Sequence, residues 1–242
     1  MRFTRLADGK GAEVPSEMGY EEWKREFVTE RAGTPEKLST AEQKVLTNDN
    51  ENIMLNSRPG KMDTAKVDLE YISSKIYIQK IVGRYNNEIV GERVANCCQT
   101  ILRNRNGTNF EELFAVDAAS GQVLTYIKGK TVNGIEMSDK LKKLLTTAPK
   151  SSIIIIHNHP NSSTFSKADI SVALKYNSIS ETVAAGHNGT LYFASGVFGH
   201  DNAIRDYTIA YTKYSRLMND FDARNAAWET VAGNLGFNYE RR

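Results

Sequence analysis

Apolar residues are thinly spread over the first sixty positions and then settle into helical and strand periods. Residues 1–62 are polar and dotted with Gly, Pro, Asn and Glu. Their clear apolar cluster, Tyr20, Trp23, Phe27 and Val28, has the spacing of one short amphipathic helix. Asn48 to Asn52 and Ser57-Arg58-Pro59-Gly60 carry turn and linker chemistry, so this stretch is expected to be an arm, partly helical or disordered. Residues 63–107 form a helical segment with two stretches. In the second, Ile89, Val90, Val94, Cys97, Cys98, Ile101 and Leu102 recur at helical spacing, and Asn106-Gly107 supplies the stop.

The period changes from residue 110. Leu113 to Ala118 and Gln122 to Lys128 flank Ala119-Ser120-Gly121 and predict a β-hairpin. Ser138 then caps a helix over Leu141, Leu144 and Leu145, and the β-branched run Ser152 to Ile156 predicts a strand buried on both faces. A helix follows from about Lys167 to Asn177. Strands Thr182–Gly186 and Thr190–Ala194 come next, joined by His187-Asn188-Gly189, where Asn-Gly is a strong hairpin signal. Residues 201–242 read as a C-terminal helical extension, with the helical period running from Asp201 to about Ala232. The fold class expected is α+β: a mixed sheet flanked by helices over 108–200, with helical segments on both sides.

Composition narrows the function classes. The chain has 31 basic and 29 acidic side chains, which leaves no field for a purely electrostatic nucleic-acid binder. Two adjacent cysteines, Cys97 and Cys98, exclude a disulfide scaffold and a cysteine-only zinc site, and read as buried thiols in a reducing compartment. Near the start there is no apolar run of signal-peptide type, and the longest one, Ile153 to Ile156, is far short of the ~20 residues of a spanning helix. A cytoplasmic chain with no membrane contact is therefore expected. What remains is histidine, carboxylate and hydroxyl chemistry.

That chemistry is concentrated in Ile156-His157-Asn158-His159-Pro160, followed by Ser166-Lys167-Ala168-Asp169. Two histidines one residue apart on a strand point to the same side. A carboxylate on the first turn of the next helix can swing back beside them. Two imidazoles and one carboxylate leave a fourth tetrahedral position for water, the composition of a catalytic zinc site. The second motif is also a plain capping box, which alone carries no chemistry.

The two motifs resemble the signature of the JAMM/MPN metallopeptidases, including the RadC-like branch, over roughly residues 108–200. The resemblance implies an MPN-type, cytidine-deaminase-like core and a zinc-dependent peptidase or isopeptidase. Zn2+ would be held by His157, His159 and Asp169. Ser166 would steady the bound water or the oxyanion, and an upstream glutamate would be general base and acid. Glu111 and Glu112 both stand at the entrance to the first strand. The family places its glutamate directly before an apolar strand, which favours Glu112; neighbours on a strand face opposite sides, so only one of the two can aim at the metal. The loop Pro160 to Phe165 is one residue shorter than the family pattern, so the alternative of a non-catalytic scaffold or binding module, phage-assembly or DNA-associated, stays open.

The resemblance also implies a peptide or protein substrate, the tail of ubiquitin or a ubiquitin-like protein in the best-known members. The tight hairpins leave little room for chain-clamping insertions, which points to a bacterial, phage or mobile-element protein. His187 is expected in a hairpin turn and His200 at the surface. Tyr207, Tyr211, Tyr214 and Trp228 are expected to be packing residues.

Overall fold

The computed structural model describes residues 66–132 and 134–242, together with the backbone of two short strands near the start. The chain divides into two units, Met1–Arg58 and Pro59–Arg242. In the first, β1 (Arg2–Arg5) and β2 (Gly11–Val14) pair antiparallel, Arg2 opposite Val14. The helix expected over Tyr20 to Val28 lies outside the described residues, as does most of the expected arm.

The second unit opens with three helices: α1 (Leu69–Ser73), α2 (Lys75–Val82) and α3 (Glu88–Arg105). Each begins at a side-chain cap, Asp68, Ser74 and Asn87 respectively, which satisfies an amide that the first helical turn leaves free. Then come β3 (Phe110–Asp117), β4 (Val123–Val132), α4 (Asp139–Thr147), β5 (Ile153–His159), α5 (Lys167–Lys175), β6 (Ile179–Gly186) and β7 (Leu191–Ser195). The helices α6 (Ala203–Tyr214) and α7 (Asp220–Leu235) and the strand β8 (Asn238–Arg241) complete it. The continuous helical period read from Asp201 to Ala232 is thus broken before Asn219, which caps α7 by accepting from the Asp222 amide.

Six strands form one mixed sheet in the order β4-β3-β5-β6-β7-β8. Only β5 and β6 run parallel, and α5 is the crossover between them, as a parallel pair requires. Helices cover both faces. On one, Val116, Ile154, Ile156, Val183, Leu191 and Phe193 pack against α1, α2 and α3 through Ile72, Ile81, Val94, Cys98 and Ile101. Ile89, grouped with this apolar stripe by its spacing, is 66% exposed.

On the other face, Leu113, Ala115, Ile153 and Ile155 meet Leu141 and Leu145 of α4. Farther along that face Ala184, Tyr192 and Ala194 meet Phe165, Ile170, Tyr207 and Trp228. Helices α1, α2 and α3 thus cover one face, while α6 and α7 cover part of the other and lead into the edge strand β8. Alternation puts apolar side chains on both sides of β5, and all seven of its residues are buried.

The Asn-Gly hairpin turn packs closely. Gly189 has φ +83°, and a Cβ there would come within 2.4 Å of the Tyr71 ring. The aromatic residues of the C-terminal helices are packing residues, as read: Tyr207 stacks on Trp228 at 4.1 Å between ring centres. Trp228 Nε1–H donates to the Phe165 carbonyl at 2.9 Å. Cys97 and Cys98 are buried free thiols, and burial raises the pKa of Cys97 to about 11. No described helix is long and apolar enough to cross a membrane.

Candidate metal centre

Strand alternation sends His157 and His159 to the face that carries Ile153 and Ile155, and Asn158 to the opposite face. Pro160 ends the strand, and the loop to α5 is braced at several points. Ser162 takes a left-handed φ of 57°. Its amide donates to the His159 carbonyl at 2.9 Å, its Oγ accepts from the Asn188 amide at 2.9 Å, and its carbonyl accepts from the Tyr192 hydroxyl at 2.9 Å. The Ser163 carbonyl lies 2.8 Å from His159 Nδ1. A carbonyl only accepts, so Nδ1 carries a proton there, and whenever the ring is neutral it is the Nε2 lone pair that faces the site.

Ser166 opens α5 as a reciprocal cap. Its Oγ accepts from the Asp169 amide at 3.2 Å, while Asp169 Oδ2 accepts from the Ser166 amide and hydroxyl, both at 2.7 Å. The cap aims the carboxylate back at the strand. Asp169 Oδ1 is 3.4 Å from His157 Nε2, Oδ2 is 3.4 Å from His159 Nε2, and the two Nε2 atoms are 2.9 Å apart. The short loop therefore closes with all three residues together. Among the described residues, no other three His, Cys, Asp or Glu side chains gather this way.

The donor set fits zinc. Ligand distances of ~2.0–2.1 Å in a tetrahedron give edges of ~3.3–3.4 Å. The histidine–carboxylate separations match, and the histidine–histidine one is a few tenths of an ångström short. His157 Nδ1 is buried without a hydrogen-bond partner, so the ring's polar contacts run through Nε2, and Phe165 packs against it at 6.3 Å between ring centres.

The cluster is strongly coupled. Burial opposes charge on His159, but Asp169, Glu111 and the Ser163 carbonyl outweigh it and raise its pKa to about 9. Burial would raise the Asp169 pKa, yet the two imidazoles hold it well below the usual carboxylate range. Glu111 is raised above an ordinary glutamate, chiefly by burial and further by Asp169, while His159 and His157 pull the other way.

The two glutamates separate here, and Glu112, the one favoured from the sequence, lies on the face away from the histidines. In the antiparallel pairing of β3 with β5, Leu113 lies opposite His157 and Ala115 opposite Ile155. Cross-strand partners share a face, so the histidine face takes the odd-numbered residues of β3, and Glu111 is the glutamate that interacts with His157, His159 and Asp169. Glu112 is fully buried on the opposite face. Its Oε1 lies 2.9 Å from Arg105 Nε, in ion-pair range without the alignment of a hydrogen bond, and its Oε2 accepts from Asn104 Nδ2 at 3.0 Å. Arg105 Nη2 also donates to the Gly129 carbonyl at 2.9 Å. The missing side chain at Gly129 matters, because a Cβ there would sit 2.4 Å from the Glu111 carbonyl.

Asn158, which carries no role in the motif as read from sequence, is buried and hydrogen-bonded to β3. His187 lies beyond β6, in the turn expected for it, and is fully buried with Nε2 3.0 Å from Asn158 Nδ2. Ser162 and Ser163 carried no distinguishing signal. Comparison of the chain with family models, with curated proteins and with solved structures finds no match.

Proposed function

We propose that the chain is a zinc-dependent hydrolase of amide bonds, a peptidase or isopeptidase of the JAMM/MPN kind. The observation that carries the reading is the convergence of His157, His159 and Asp169 within 3.4 Å of one another, with Glu111 on the same sheet face. His157, His159 and Asp169 would hold the ion. Bound zinc lowers the pKa of a water ligand from 15.7 to about 7 and polarises a carbonyl.

The protein's own groups do the rest. Glu111 accepts the proton of the attacking water and returns it to the leaving amine. A raised carboxyl pKa suits that double duty, because proton transfer is most effective when the catalyst titrates near the working pH. Ser166 fixes the Asp169 carboxylate by two hydrogen bonds, so its part is to orient a ligand. The Ser163 carbonyl sets the His159 tautomer. A peptide substrate is supported by the sheet edge: β4 is an outermost strand of the sheet, and an extended chain can add to its free edge.

A scaffold or binding module is the second reading, favoured by the Asp169 carboxylate already serving as a helix cap. Metal content separates the two. Full-length protein purified in zinc-replete medium is expected to hold one zinc per chain, and His159→Ala and Asp169→Asn to lose it. Metal-free wild type under those conditions overturns the hydrolase reading.

A further inference from the structure

Asn158 stands between the two histidines in sequence but faces the other way, fully buried. Its Oδ1 accepts from the Glu112 amide at 2.8 Å, and its Nδ2 donates to the Phe110 carbonyl at 3.1 Å. One side chain thus grips the backbone on both sides of Glu111. The β3–β4 ladder also holds these two residues, Phe110 opposite Val132 and Glu112 opposite Lys128. The pairing of β3 with β5 ends at Leu113 opposite His157, and a bulge interrupts the pairing of β3 with β4 between Phe110 and Glu112. Glu111 itself has no partner in either ladder, and its carbonyl accepts from Arg105 Nη2 at 3.4 Å.

The clamp is itself held. Asn158 Nδ2 is 3.0 Å from His187 Nε2. An amide nitrogen only donates, so His187 accepts there as a neutral ring. His187 sits at the end of β6, and its amide donates to the His159 carbonyl at 3.3 Å. Strand β5 thereby presents the metal ligands on one face and, through the residue between them, fixes the glutamate's backbone from the other.

We propose that Asn158 is a positioning residue for Glu111, setting the distance between the glutamate and the His157, His159 and Asp169 group. The proposal rests on the hydrolase reading, which assigns Glu111 the proton transfers. Its effect is transmitted through the β3 backbone, so it must vanish when Glu111 has lost its carboxylate.

The test is a double-mutant cycle on the full chain with Zn2+ alone as probe, plus amide hydrogen exchange of the metal-free protein. In Asn158→Ala the Glu112 amide is expected to exchange about tenfold faster, while Ala115 and Ile155 keep wild-type rates. Zn2+ affinity, measured by competition with a chromophoric chelator, is expected to fall by up to about tenfold in Asn158→Ala and in Glu111→Gln. In Asn158→Ala/Glu111→Gln it falls no further than in Glu111→Gln alone. Should Asn158→Ala fail to fold, Asn158→Asp keeps the acceptor for the Glu112 amide, loses the donor to Phe110, and must give the same non-additivity. Additive losses, or an unchanged Glu112 amide, overturn the positioning role while leaving the metal site standing. Wild type that takes up no Zn2+ overturns the hydrolase reading, and with it the role given to Asn158, whatever the exchange rates.

Discussion

Glu112→Ala distinguishes the two adjacent glutamates by stability. Glu112 and Arg105 face each other in the interior with side-chain exposures of 0% and 7%, so the guanidinium left behind cannot turn to water. Removing one partner of a buried ion pair costs about 3–5 kcal/mol. Arg105 keeps its 2.9 Å bond to the Gly129 carbonyl, which places the expectation at the lower end, about 3 kcal/mol. In a unit the size of Pro59–Arg242, each kcal/mol moves the midpoint by ~2–4 °C, so thermal unfolding of the metal-free protein should start from a midpoint lowered by ~6–12 °C. Well below that midpoint, zinc stoichiometry should match wild type, because His157, His159 and Asp169 are on the other face. Calorimetry and metal analysis on one preparation read both quantities. A midpoint within about 2 °C of wild type, together with loss of peptide hydrolysis, would refute the assignment of Glu112 as structural and return it to the catalytic role.

Glu111→Gln should behave oppositely, lowering hydrolysis of a quenched-peptide library by about 10²–10⁴-fold without lowering the unfolding midpoint. Because folding raises the Glu111 pKa, the folded chain keeps this proton to higher pH than the unfolded chain, and wild-type stability falls as pH rises from the ordinary glutamate range through the folded value. The midpoint of metal-free Glu111→Gln should therefore gain on wild type across that window; a difference that is flat or shrinks with rising pH contradicts the burial of this carboxyl. Ser166→Ala removes the cap acceptor and one of the two hydrogen bonds to Asp169 Oδ2. It should cost about 1 kcal/mol of stability and about tenfold in zinc affinity, and an unchanged affinity would limit Ser166 to helix capping.

The sequence by itself determined whatever depends on neighbours along the chain. Period-two alternation placed His157 and His159 on one side of a buried strand, and the Ser166–Asp169 spacing placed a carboxylate on the first helical turn. Asn188-Gly189 marked a hairpin, and β-branched residues marked the central strand. Each follows from geometry within a few residues, which is why the sequence alone brings His157, His159 and Asp169 close together. The tertiary structure decided what depends on register between distant segments. That Leu113 sits opposite His157 is a pairing across more than forty positions, and sliding it by one residue would exchange Glu111 and Glu112 between the faces. Nothing local to Phe110-Glu111-Glu112-Leu113 encodes that choice. It is fixed by the apolar face of β3 meeting α4, by Arg105 reaching Glu112 from the end of α3, and by Asn158 holding the backbone between them. The same non-local origin explains β8: Asn238 to Arg241 has no strand pattern of its own and becomes a strand by pairing with β7.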